Sequence, residues 1–121
     1  MDIGGAKWYD EVMVTTREHA LEIARQVRAG LERIYGPRLR GVYLYGSAAR
    51  DELTPDSDID IAVVLDEVVN SFTEHERIGQ LGSDVSLEYE TLVSFLLVGE
   101  EDLRNGRFAV HRFIQEEGIP A

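Results

Sequence analysis

The chain has no cysteine, which excludes disulfides, zinc thiolate sites and thiol catalysis. Lysine is nearly missing as well, Lys7 being the single one, so no lysine tract of the localisation type exists. Apolar runs such as Phe95 to Val98 are far shorter than a membrane span. The start, Met1-Asp2-Ile3-Gly4-Gly5, has neither the basic nor the apolar region of a signal peptide, and the chain is expected in the cytoplasm. Positive charge is scarce overall: 12 Lys and Arg face 23 Asp and Glu, a formal net charge of -11. Duplex DNA and RNA are held chiefly through Lys and Arg, so no nucleic acid is expected as a partner, and the same balance disfavours a membrane surface. Neither a Walker loop nor a GxGxxG sequence is present, and His19, His75 and His111 lack ligand-like spacing.

What is there is ordinary globular material. At 121 residues, 44% hydrophobic and 29% charged, the chain is sized for one domain with a core. Residues 1–14 are a lead of unassigned structure with Trp8 and Tyr9, and the domain is expected over 15–121. Thr15 and Glu18 have capping-box spacing, and Ala20, Ala24, Val27, Leu31 and Ile34 form a helical stripe that Gly36-Pro37 ends. Gly41 to Tyr45 reads as a buried strand, and Asp58 to Leu65 as a second one with Asp58, Asp60, Ala62 and Val64 on one face. Ser71 and Glu74 open another helix, carrying Phe72, Ile78, Leu81, Val85 and Tyr89, with Gly79 and Gly82 inside it. Val85, Leu87 and Tyr89 also alternate as a strand would; the helix is the preferred reading. A strand over Leu92 to Val98 and a helix from about Arg107 to Glu117, with Val110, Phe113 and Ile114, complete the chain. The fold class is α/β (α+β), in the order α-β-β-α-β-α, with helices on a mixed sheet of three or more strands.

Chemistry concentrates in one stretch. The first strand ends in Gly46-Ser47, ten residues intervene, and the next opens with Asp58-Ile59-Asp60. Carboxylates at i and i+2 on a strand point the same way and can converge on Mg²⁺, which favours a few carboxylates plus water and phosphate oxygens. Gly46 lets backbone approach a phosphate, and Ser47 offers a hydroxyl and an N–H to it. Arg50 either adds a charged donor to the same phosphates or pairs on the surface with Asp51 or Glu52. Six acids crowd between Asp51 and Asp66, so part of the negative charge is local to this stretch.

Gly46-Ser47 followed by Asp58-x-Asp60 resembles the DNA polymerase beta-like nucleotidyltransferase superfamily, and the small size resembles its minimal nucleotidyltransferases. Members of that kind are commonly paired with a HEPN-domain protein in toxin–antitoxin modules. The resemblance implies that Gly46, Ser47 and Arg50 bind a nucleoside triphosphate, that of ATP above all, and that Asp58 and Asp60 bind Mg²⁺ as the catalytic carboxylates. An NMP group would then pass to a hydroxyl on a HEPN-type partner. One departure stands out: the third carboxylate of the superfamily falls at Ser94, unless Glu88 on an alternative strand replaces it. The alternative is therefore a catalytically weak, nucleotide-binding antitoxin or partner-binding module. Assembly with a second copy of the chain is left open.

Overall fold

A computed structural model describes residues 14–121. The lead read over 1–14 lies outside them, except for Val14, which is buried in the core. Helix α1, Arg17–Tyr35, starts one residue later than the Thr15–Glu18 spacing predicts: Thr16 is the cap, its hydroxyl accepting the His19 N–H at 3.1 Å. The stripe it buries is Ala20, Ile23, Ala24, Val27, Leu31 and Tyr35, while Ile34, expected inside, is exposed. Gly36, with φ 54°, closes the helix in the left-handed region, and a 3₁₀ turn over Gly36–Arg38 leads into strand β1, Leu39–Tyr45.

Strand β2, Ile59–Leu65, runs antiparallel to β1. Helix α2, Ser71–Tyr89, is capped by Asn70, whose side chain accepts the Thr73 N–H at 3.2 Å, and not by Ser71. It passes Gly82 without a break and continues to Tyr89, so Val85–Tyr89 is helix and not strand. Gly82 has a packing reason, since a Cβ there would stand 3.0 Å from the Phe95 ring. Strand β3, Val93–Gly99, returns parallel to β2. Two elements were not expected: helix α3, Glu100–Asn105, and a two-residue strand β4, Ile119–Pro120, antiparallel to β1. Helix α4, Ala109–Glu117, lies between them. Among the described residues the sheet order is β3-β2-β1-β4, a four-stranded mixed sheet.

The alternation of β2 assigns its two faces. Ile59, Ile61, Val63 and Leu65 are fully buried with Val42 and Leu44 under α1 and α2. Each such side chain contributes roughly 1.5–3 kcal/mol. Ala62 and Val64 face the other way, against Val98 and Ile114, with Tyr43, Tyr45, Leu96 and Val110 around them. Phe113, expected in this packing, is exposed, and His111 is buried instead, its Nδ1 accepting the Phe108 N–H at 3.2 Å. Asp60 has the parity of Ala62 and Val64, so the acidic pair stands on the thinly covered α4 side of the sheet. No described helix is long and apolar enough to cross a membrane.

Candidate active site

At the end of β1 the chain turns through Gly46, with φ 70°. Glycine is required here twice over, by the positive φ and by space: a Cβ would stand 2.7 Å from Asp60 Oδ2. The glycine therefore makes room for a carboxylate as well as for any phosphate. One tight helical turn follows, closed by bonds from Arg50 N–H to Gly46 O (3.2 Å), Asp51 N–H to Ala48 O (3.2 Å) and Glu52 N–H to Ser47 O (2.9 Å). Ala48, Ala49 and Leu53 are buried and pin the turn to the core. Asp51 ends it at φ 59°, a conformation that Asp tolerates better than most residues. The Asp51 carboxylate accepts the Arg17 N–H at 2.9 Å, fastening the loop to the start of α1. Ser47 is half-buried at the open end of the turn. Among the described residues its hydroxyl has no hydrogen bond, and the N–H groups of Ser47, Ala48 and Ala49 donate to no protein acceptor.

Strand register brings the two half-motifs together. Tyr45 is the partner of Asp60 across β1 and β2, so Gly46-Ser47 lies beside the acidic pair. Asp58, two residues before Asp60, is exposed, and Asp60 is half-buried. Among the described residues neither carboxylate has an ion pair or a hydrogen bond, although eight ion pairs form elsewhere. Burial, and then the charge of Asp58, push the Asp60 carboxyl above its ordinary pKa. Burial and the Asp60 charge raise the Tyr45 phenol to about 12. Two neighbouring acids with no cation between them, one partly desolvated, are a donor set suited to a hard divalent cation.

The third position is decided by register. Asp60 is paired with Ser94 across β2 and β3, so Ser94 is the neighbour of Asp60 on that side, and it is exposed. Glu88 belongs to α2, which covers the opposite face of the sheet, and does not join the pair. Accordingly no cluster of three or more His, Cys, Asp or Glu side chains is formed among the described residues. Arg50 is brought to the edge of the site but is engaged: Nε lies 3.2 Å from Glu52 and Nη1 3.1 Å from Glu117. Glu117, near the end of α4, and Tyr45 were not singled out from the sequence. Tyr45 carried a signal, since strand alternation places it with Tyr43 on the acidic face.

This arrangement has relatives. Residues 24–118 match the family described as "Nucleotidyltransferase domain". The chain belongs to that family. Two curated relatives from Methanocaldococcus jannaschii carry the name "Putative protein adenylyltransferase". MJ0141 is 30% identical over 74 residues, 61% of this chain and 74% of the relative. MJ0604 is 31% identical over 86 residues, 69% of this chain and 79% of the relative. Among solved structures, a chain described as a "putative nucleotidyltransferase" from Sulfolobus solfataricus superposes with TM-score 0.62 at 20% identity, over 98% of this chain and 89% of that one, which shows the shared fold. A chain from a toxin–antitoxin complex crystallised with AMP-PNP superposes with TM-score 0.56 at 25% identity, over 78% of this chain and 69% of that one. This nucleotidyltransferase domain thus has the expected fold, with Gly46-Ser47 and Asp58-x-Asp60 adjacent in space.

Proposed function

We propose that the domain transfers AMP from Mg²⁺-bound ATP to a hydroxyl on a partner protein of the HEPN type, in the cytoplasm. The observation that carries this is the Asp58–Asp60 couple, unpaired among the described residues, beside the open turn at Ser47. The names of the curated relatives support a protein acceptor and an adenylyl group, and the AMP-PNP complex supports a toxin–antitoxin setting.

Asp58 and Asp60 hold Mg²⁺, which when bound neutralises charge on the triphosphate and favours in-line displacement. The Ser47 hydroxyl and the N–H groups of the Ser47–Ala49 turn, which have no acceptor among the described residues, bind the outer phosphate oxygens. Arg50 reaches the same oxygens once it leaves Glu52 and Glu117, exposed pairs that solvent screening makes easy to break. The acceptor oxygen forms a bond to the α-phosphorus, the bond from that phosphorus to the bridging oxygen breaks, pyrophosphate departs, and the hydroxyl proton goes to water. Most of the rate then comes from positioning and charge neutralisation.

Ser94 favours a second reading, in which nucleotide is bound but transfer is slow and partner binding is the main task. Incubating the purified domain and a HEPN-type partner with α-labelled ATP separates the two. Label on the partner, lost in Asp58→Ala with Asp60→Ala, supports the enzyme; a stable unlabelled complex supports the binding module.

A further inference from the structure

The two acids that hold Arg50 are built unequally. Glu52 belongs to the same loop, two residues along, and its side chain is 61% exposed. Glu117 comes from 67 residues away, and its side chain is 31% exposed. Its place is fixed from both sides. Three residues earlier, Ile114 is packed with Ala62, Val64 and Val98. One residue later, Gly118 donates its N–H to the Ile114 carbonyl at 2.8 Å. A Cβ at Gly118 would stand 2.5 Å from that oxygen, so glycine is needed where the chain leaves α4. Ile119 then pairs with Leu44, two residues before Gly46, and the Ala121 N–H donates to Val42 O at 2.9 Å. Sheet register thus delivers the Glu117 carboxylate to the Ser47 turn.

Ser47 and Arg50 stand three residues apart on one helical turn and so share a face. A guanidinium grips a phosphate through two neighbouring N–H groups, and each of its two forks includes Nη2. Among the described residues Arg50 Nη2 has no acceptor, while Nε is on Glu52 and Nη1 on Glu117. The fork at the tip of the side chain, Nη1 with Nη2, is therefore half occupied by Glu117. Of the two acids Glu117 has the stronger hold. Its hydrogen bond is the leading cause that raises the Arg50 pKa above the ordinary value, ahead of anything from Glu52.

Resting on the transferase reading, we propose that Glu117 is a positioning residue that parks Arg50 at the rim of the site. An outer phosphate of the nucleotide must displace Glu117 from Nη1 before the tip of Arg50 can grip it. The acid is held still by α4 and β4, and the arginine is the arm that moves. Glu117 acts only through Arg50, and it sets how tightly the triphosphate is held.

The test is a double-mutant cycle read by Mg²⁺-ATP affinity, with Tm measured on the same preparations. It uses wild type, Glu117→Gln, Arg50→Gln and the two combined, with Glu52→Gln alongside. Glu117→Gln is expected to tighten Mg²⁺-ATP about threefold, the scale that an exposed pair allows. Arg50→Gln weakens it, and Glu117→Gln then changes nothing in the Arg50→Gln background. Glu52→Gln tightens Mg²⁺-ATP less than Glu117→Gln does. A merely structural Glu117 would instead lower Tm and weaken the nucleotide. Unchanged or weaker binding in Glu117→Gln would overturn the proposal. So would the same gain without Arg50, which is plain charge repulsion, or an equal gain from Glu52→Gln. Any of those results with intact Mg²⁺-ATP binding by the wild type removes the parking contact alone. A wild type that binds no Mg²⁺-ATP removes the nucleotide reading together with it.

Discussion

The two ends of this sheet treat buried negative charge in opposite ways. At one end Glu74 is 6% exposed, yet its carboxylate is fully used: Tyr35 Oη donates at 3.1 Å, Arg38 Nη2 at 2.8 Å, and Arg77 Nε lies at 3.4 Å. Arg38 also binds Asp66, so α1, β1, β2 and α2 are tied at one knot. At the other end Asp58 and Asp60 share no cation and no donor among the described residues. Burial pushes the Glu74 carboxyl up, but the bonds from Arg38 and Tyr35 outweigh it and hold the pKa below the ordinary value. Burial and Asp58 push Asp60 the other way. A fold that satisfies one buried acid with three partners leaves the other pair without a partner among the described residues, and that difference separates a structural knot from the candidate site.

The largest effect should come from the unsatisfied end. Asp58→Asn with Asp60→Asn is expected to reduce AMP transfer by at least about a thousandfold, since charge positioning supplies most of the rate. The same variant should keep or slightly raise Tm, by about 1–3 °C, because unpaired repulsion is removed; differential scanning calorimetry beside a label-transfer assay checks both. Next, Glu74→Ala should cost about 2–3 kcal/mol, discounted from a fully buried pair because Arg38 is a third exposed. Urea denaturation reads that loss, and Mg²⁺-ATP affinity should not move. Equal losses of affinity in the two variants would erase the distinction between the ends.

The pH responses should have opposite signs. A depressed Glu74 contributes stability above its unfolded pKa that disappears as pH falls through its lower folded value. A raised Asp60 loses stability as pH rises from the unfolded to the folded pKa, and it must be ionised to bind a cation, so Mg²⁺ affinity should fall as acid passes its raised value. Mg²⁺ titrations between pH 4 and 7, with wild type and Asp60→Asn, test this. Ser94→Asp should raise Mg²⁺ affinity about tenfold while lowering the stability of the metal-free chain. The smallest effect is at the helix glycines: Gly79→Ala should stabilise by about 0.5–1 kcal/mol, whereas Gly82→Ala gains less or loses, because Phe95 must give way.

Much of the frame was legible in the sequence because its signals were long or chemically unusual. Nineteen-residue helices show their period, as α1 and α2 do. The spacing from Gly46-Ser47 to Asp58-x-Asp60 joins two strand ends that pairing must bring together. The caps slipped by one residue because Thr15-Thr16 and Asn70-Ser71 each offer two adjacent capping side chains, and backbone geometry chooses between them. Helix α3 spans six residues and β4 two, too few for either period to register. Phe72, Ile34 and Phe113 fit a stripe by spacing, but the neighbouring element decides which flank of a stripe is covered. At the site, the pair was visible as residues, while its isolation was not: that Arg50 turns to Glu117 depends on α4 returning beside the loop.

The measurement that bears most directly on the central claim is isothermal titration calorimetry of ATP in the presence and absence of Mg²⁺, for wild type and for Asp58→Asn with Asp60→Asn. The account predicts saturable, Mg²⁺-dependent binding by the wild type and its loss in the variant, with the fold intact by circular dichroism. Equal binding by the two proteins, or binding indifferent to Mg²⁺, would contradict it.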